Sequence, residues 1–197
     1  MGQRLVVTIR NEGKELCKMY YHWSAYSVSA LKEVRNIIKK IPEDINNERD
    51  LILHLIHFCE KNGGGIEGGY GSPEWNYIQS VYPGEEFEGE NINRNYGLIA
   101  ISENGMADIQ NWSEGDVTID IDKGIVHNEV FYYYDDINEY KEDYKKDFMA
   151  FDDIPNIDTN IEEFDVDDID NVISVLEDIK SKEYVCRNRN EIYVLIV

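Results

Sequence analysis

The order of strand-like and helix-like segments constrains the fold of this chain most strongly. Two apolar runs flank the turn residues NEGK over residues 4–21, which predicts a β-hairpin. Apolar residues then recur at spacings of three and four over residues 25–41 and 48–61, which predicts two amphipathic helices. Beyond Gly97 the spacing falls to two, which predicts further strands. Because strands and helices do not alternate one by one, a chain of βαβ units is excluded.

We therefore predict an α+β fold in which a mainly antiparallel sheet is built from hairpins. The hairpins are expected over about residues 4–21, 98–134 and 184–197. The middle segment is expected to turn first at Asn104-Gly105, a strong turn signal, and again at residues 122–124. The last hairpin ends in YVLIV, an apolar run that is costly to leave in water.

Three amphipathic helices are expected to pack on one face of this sheet. They span about residues 25–41, 48–61 and 167–180. Pro73 predicts the start of another, shorter helix within a long glycine- and aromatic-rich connection. We predict a single domain over residues 1–197. An alternative divides the chain into residues 1–84 and 97–197, because composition and charge both shift between them.

Charge is distributed unevenly along the chain, whose net charge is −21. Residues 1–100 hold 14 acidic and 11 basic side chains, whereas residues 101–197 hold 26 and 8. Within the second half, residues 135–170 hold 15 acids and 3 bases. General binding to nucleic acids or to anionic membranes is disfavoured, because both depend on basic side chains. A one-sided negative field instead attracts basic partners.

The most acidic stretch leads into a helix. Ile169, Val172, Ile173 and Leu176 form an apolar stripe in the stretch IEEFDVDDIDNVISVLEDIK. Asp165 or Asp167 is expected to cap this helix, and carboxylates in its first turn oppose the positive end of the helix dipole. Capping explains a few of the acids but not all 15 between residues 135 and 170, so a partner is expected to explain the rest.

The glycine-rich connection carries a G-x-G-x-x-G spacing at Gly63, Gly65 and Gly68. A dinucleotide site needs that spacing between a strand and a helix, whereas here it follows the end of a helix. A phosphate loop is therefore not expected. Because Tyr70 and Trp75 lie on the same connection, it is interpreted as a surface that contacts a partner.

No catalytic or metal site can be recognised from spacing. His54 and His57 lie three residues apart on the polar side of their helix, but no third ligand follows at a known spacing. His22 and Ser24 lie beside a strand-to-helix turn without a nucleophile motif. A calcium loop counted from Asp165 fails, because its twelfth position is a leucine. We predict no cofactor, no metal and no catalytic residue.

The cysteines and the apolar runs indicate a compartment. Cys17, Cys59 and Cys186 are odd in number and form no C-x-x-C, which favours a reducing environment. The first residues lack the apolar core of a signal peptide, and no apolar run is long enough to span a membrane. A cytoplasmic location is predicted, within the host cell if the chain is phage-encoded.

These features predict a binding protein rather than an enzyme. In size, acidity and lack of catalytic motifs, the chain resembles phage-encoded inhibitors, including DNA-mimic and anti-CRISPR proteins, in general character only. The expected function is to block a basic, nucleic-acid-handling protein by imitating nucleic acid. The expected contacts are Tyr132, Tyr133, Tyr134, Asp135, Asp136, Glu139, Asp152, Asp153, Glu162, Glu163, Asp165, Asp167 and Asp168, together with Tyr70 and Trp75. Two alternatives are an enzyme of unrecognised type that uses the glycine-rich loop and nearby histidines, and a self-assembling structural protein.

Overall fold

A computed structural model of the chain describes residues 3–25, 27–41, 47–89, 92–130, 162–180, 183–187 and 192–196. The predicted α+β class is confirmed in this part of the chain, because a mostly antiparallel sheet is combined with helices. The main sheet consists of β1 (Leu5–Asn11), β2 (Lys14–Tyr21), β3 (Gly65–Ile66), β4 (Leu98–Ala100), β5 (Gly115–Asp120), β6 (Ile125–Glu129) and β7 (Glu163–Asp165). The helices are α1 (Ser27–Ile38), α2 (Glu48–Lys61), α3 (Pro73–Val81), α4 (Glu103–Gln110) and α5 (Ile169–Lys180), the last preceded by a 3₁₀ turn at Val166–Asp168.

The strands of the main sheet follow the order β3-β4-β2-β1-β5-β6-β7. The predicted hairpins β1–β2 and β5–β6 are confirmed, and the first turns through Glu12 and Gly13, both at positive φ. A parallel pairing of β1 with β5 joins the two hairpins at the centre of the sheet. This pairing was not predicted from the sequence, because it brings together segments more than 100 residues apart.

One face of the sheet carries the larger hydrophobic core. Alternate strand residues such as Val7, Met19 and Val117 point into it and are almost fully buried. Buried side chains from α1, α2, α3 and α5 pack against them, as predicted for three of these helices. The observed bounds of α2 match the predicted span, since Asn47 accepts the N–H of Asp50 at its start.

The opposite face carries a smaller apolar cluster under α4. Val6, Tyr20 and Leu98 meet Ile109 of this helix, and the rings of Tyr20 and Trp112 pack edge to face with centroids 5.4 Å apart. The remainder of this face is polar in the described residues and includes a buried carboxylate, Asp120.

The predicted turn at Asn104-Gly105 is wrong, because both residues lie within α4. Ser102 begins this helix by accepting the N–H of Gly105 through its Oγ. The carboxylate of Glu74 packs so closely against the first turn that a Cβ on Gly105 would collide with it. The glycine is therefore required by a contact with α3, and its role as a turn signal was misleading.

The C-terminal hairpin forms as predicted in its described strands, β8 (Glu183–Arg187) and β9 (Ile192–Ile196), which pair antiparallel. The turn residues between them lie outside the described part of the chain. The same holds for the segment 131–161, for which the sequence predicted the end of a hairpin, a charged helix or loop, and an extended stretch.

Candidate functional site

The predicted contact residues fall into three groups in the structure. Tyr132, Tyr133, Tyr134, Asp135, Asp136, Glu139, Asp152 and Asp153 lie outside the described residues. The acids from residues 162 to 168 lie just before β7, on β7 and on the 3₁₀ turn that follows it. Tyr70 and Trp75 lie near β3, at the other end of the sheet. Six steps of about 4.8 Å separate β3 from β7, so these two edge strands are roughly 29 Å apart.

The acids on β7 and at the start of α5 form an exposed surface. β7 pairs with β6 in the register His127↔Glu163 and Ile125↔Asp165, so these two acids lie on one side of the strand and Phe164 on the other. Phe164 packs against the core and fixes this orientation. The exposed set comprises Glu162, Glu163, Asp165, Asp167 and Asp168, which we call the acidic edge.

Most of the acidic edge lacks a local counter-charge. Glu163 faces His127, with its Oε2 3.1 Å from Nδ1 of that ring. The other four carboxylates form no ion pair with any residue that the structure describes. Asp165 occupies the N-cap position of the 3₁₀ turn, but its side chain makes no capping hydrogen bond. The predicted capping role is therefore not observed for Asp165.

Carboxylates further along α5 have a different setting. Asp170 accepts hydrogen bonds from Lys39 and Arg35 at 3.0 and 3.1 Å, and these two cations lower its pKa. Glu177 pairs with Lys32 at 2.5 Å. These contacts tie α5 to α1, so both acids have a structural role that the acidic edge lacks.

Two glycines of the glycine-rich connection are required by a positive φ angle and by a close backbone contact. Gly63 ends α2 with a φ of 88°, and the N–H of Gly64 returns to the carbonyl of Cys59. A Cβ on Gly64 would collide with the backbone carbonyl of Gly97, which directly precedes β4. The G-x-G-x-x-G spacing begins where α2 ends and runs through the short strand β3 to Gly68.

A cavity of about 750 Å³ opens beside this connection. It is lined by Glu60, Lys61, Gly63, Gly64, Tyr70, Trp75, Phe87, Glu88 and Gly89. The rings of Tyr70 and Trp75 are 5.3 Å apart between centroids, and Phe87 meets Trp75 edge to face at 6.2 Å. Trp75 is 7% exposed, whereas Tyr70 is 78% exposed. Tyr70 therefore forms the outer wall of the cavity and Trp75 the inner one.

A buried carboxylate, that of Glu60, lines the cavity. It accepts the backbone N–H of Glu88 at 2.7 Å and lies 3.2 Å from Nδ1 of His57. Burial raises the pKa of Glu60 above its ordinary value. His57 also stacks on Phe87, with centroids 5.6 Å apart, and its Nε2 is 3.9 Å from Glu85.

Glu60 and Phe87 were not predicted as site residues from the sequence. A signal existed for Glu60, because it continues the apolar series Ile52, Ile56 at a spacing of four. A charged residue on the buried stripe of a helix is informative. Phe87 gave no such signal, since the segment after α3 has no periodic pattern.

The other histidines and acids that the sequence raised do not converge. His54 is exposed on α2. His22 bonds to the hydroxyl of Tyr20 at 2.7 Å and packs against the ring of Trp23. In the described ranges, no group of three or more potential ligands could hold a metal ion. None of the helices described there is long and apolar enough to cross a membrane.

Comparisons with known proteins gave no relative. No family model, no curated protein and no solved structure matches this chain.

Proposed function

We propose that this chain is a cytoplasmic binding protein that blocks a basic, nucleic-acid-handling target by imitating nucleic acid, as anti-CRISPR and other anti-defence inhibitors do. The observation that carries the proposal is the acidic edge. Glu162, Asp165, Asp167 and Asp168 are exposed within seven residues, and no described cation neutralises them. The buried thiols of Cys17 and Cys59 are unpaired, which is compatible with a reducing compartment.

A basic partner is expected to bind the acidic edge for an electrostatic reason. Like charges held close together repel each other, and the chain as a whole carries a net charge of −21. A partner with a basic groove relieves that repulsion on binding and is steered towards the acidic edge from a distance. Glu163 and Asp165 project from one side of β7 about 6.6 Å apart along the strand, so one basic surface can meet both.

The proposal is tested by capturing partners from a native host lysate on the immobilised full chain. Bound proteins are eluted with rising salt and are then assayed for nucleic-acid binding with and without the chain. We expect a partner that elutes at moderate salt, because exposed ion pairs are screened, and whose nucleic-acid binding the chain inhibits. An affinity that does not change between low and high salt would exclude the electrostatic mechanism.

One observation favours an enzyme as a second candidate. The cavity lies beside the glycine-rich connection and is lined by Glu60. The carboxylate of Glu60 contacts His57, so a histidine lies just behind the cavity wall. A carboxylate that orients an imidazole is a common arrangement for general acid–base chemistry. If this pair is catalytic, incubation with host metabolites should produce mass changes that His57→Gln abolishes. His54→Gln, on the same helix but exposed, is the matched control and should retain them.

A further inference from the structure

Three buried carboxylates in the described residues are stabilised in different ways. Asp120 is 0% exposed and lies between two cations, Arg10 at 2.7 Å and Lys123 at 2.9 Å. Glu74 is 2% exposed and accepts the N–H groups of Ile101 and Ser102 and the hydroxyl of Ser102. Both groups are therefore well satisfied within the protein.

Glu60 is the exception. At 6% exposure it is nearly as buried, yet it accepts one backbone N–H and contacts one histidine, which carries charge only when protonated. No lysine or arginine of the described chain pairs with it. A carboxylate offers about four lone-pair positions, so two remain unused. Because Glu60 lines the cavity, a ligand bound there can reach this carboxylate.

The rest of the lining indicates the chemistry of that occupant. Trp75, Tyr70 and Phe87 present aromatic surface in the same cavity as the carboxylate. The faces of aromatic rings attract cations, tryptophan most strongly, and the attraction grows as water is excluded. An anion would instead meet the buried charge of Glu60. Lys61 also belongs to the lining, but it is exposed and is accompanied by the exposed acid Glu88.

We propose that this cavity binds an organic ammonium group, with the carboxylate of Glu60 as its counter-ion and Trp75, Tyr70 and Phe87 as its aromatic wall. A volume of about 750 Å³ admits a small molecule or the end of a lysine side chain from a protein. Both sources present the same chemistry, an alkylammonium. The site is independent of the acidic edge, at the opposite end of the sheet, so either proposal can fail without the other.

Isothermal titration calorimetry of the full chain tests the site with two cationic probes. They are choline and Nα-acetyl-lysine methylamide, whose side-chain amine is free. Each probe has a matched control without the positive charge: 3,3-dimethylbutan-1-ol replaces choline, and N-acetyl-norleucine methylamide replaces the lysine derivative. We expect at least one cation to bind about tenfold or more tightly than its neutral control. Binding of choline alone indicates a small-molecule ligand, and binding of the lysine derivative alone indicates a protein side chain.

Two variants locate the binding. Glu60→Gln keeps the size of the side chain and should weaken binding about tenfold or more. Tyr70→Ala changes an exposed residue, so it should fold normally and should weaken binding about threefold to tenfold. Tyr77→Ala, at an exposed tyrosine outside the cavity lining, is the control and should bind like the parent chain. The proposal is overturned if neither cation binds in the millimolar range, if the neutral controls bind equally, or if both cavity variants bind unchanged.

Discussion

The carboxylates inside the protein and those of the acidic edge differ in how they are compensated. Glu74 and Asp120 are both buried. Glu74 accepts three hydrogen bonds, and Asp120 is held by two cations. Glu162, Asp165 and Asp167 are exposed, and no described residue neutralises them. The buried groups must be compensated for the fold to exist, whereas the exposed ones are satisfied by water. Removal of Glu74 or Asp120 should therefore cost stability, and removal of an exposed acid should cost only binding.

The largest effect is expected at Glu74. Glu74→Ala leaves the N–H groups of Ile101 and Ser102 without their acceptor at the start of α4, and it opens a void beside Gly105. We expect the free energy of unfolding to fall by about 3–4 kcal/mol in urea denaturation. Glu103→Ala, at an exposed acid in the first turn of the same helix, should change it by about 0.5 kcal/mol or less. Equal losses in the two variants would contradict the structural role of Glu74.

A smaller loss is expected at Asp120. Arg10 and Lys123 hold the pKa of this carboxyl well below its ordinary value of 3.8. Asp120→Asn should lower the free energy of unfolding by about 2–3 kcal/mol at pH 7. This loss is smaller than that expected for a fully buried ion pair, because Arg10 is partly exposed and can be rehydrated.

The pH dependence of Asp120 has a definite sign. A depressed pKa in the folded state means that the stabilisation is present above about pH 4 and is lost as the pH falls further. The parent chain should therefore lose more stability than Asp120→Asn between pH 5 and pH 2.5. Parallel stability curves for the two proteins would show that the carboxylate is not held in the predicted way.

Glu60 is buried like Glu74 and Asp120, but its replacement should not cost stability. Its pKa is raised by burial, so its charged form opposes folding, and stability is lost as the pH rises through that pKa. Glu60→Gln removes the charge and should leave stability at pH 8 unchanged or raise it by up to about 1 kcal/mol. A loss of more than about 2 kcal/mol would mean that Glu60 is compensated as fully as Glu74.

Acid should also weaken binding at the cavity. Protonation of Glu60 removes the counter-ion, so the affinity for an ammonium probe should fall as the pH is lowered. The other charged groups near Glu60 are Lys61, Glu85 and Glu88. An affinity that rises below pH 6 would contradict the assigned role of Glu60.

The smallest effect on stability is expected at the acidic edge. The triple variant Glu162→Lys, Asp165→Lys, Asp167→Lys removes like charges from an exposed surface. Its free energy of unfolding should stay within about 0.5 kcal/mol of the parent value. A loss of about 2 kcal/mol or more in thermal or urea denaturation would show that these acids have structural partners.

Local patterns in the sequence predicted the elements that local interactions decide. The bounds of α2 followed from its apolar stripe and from Gly63 at its end. Asn104-Gly105 was wrongly predicted as a turn, because a glycine is favoured both in turns and at tight contacts of a helix. Here the contact is with Glu74, about 30 residues away in the sequence, so the local pattern could not reveal it. The parallel pairing of β1 with β5 is equally non-local.

The candidate sites were predictable to different degrees. The exposure of the acids at residues 162–168 followed from their density, but their lack of described counter-charges required the register of β7 on β6. Tyr70 and Trp75 were singled out as contact residues, and the structure places both in the wall of one cavity. Phe87 and Glu88 join that cavity from an aperiodic segment after α3, which no spacing rule could position.

The most direct test of the proposed function compares two triple variants of equal net charge. One is the acidic-edge variant, and the other, Glu86→Lys, Glu103→Lys, Asp108→Lys, reverses three exposed acids elsewhere. Affinity for the captured partner is measured for both variants and the parent chain over a range of salt concentrations. We predict that the acidic-edge variant loses about 30-fold or more and depends less on salt, while the other variant stays within about threefold of the parent chain. Equal weakening of both would mean that only net charge matters and would contradict a dedicated acidic surface.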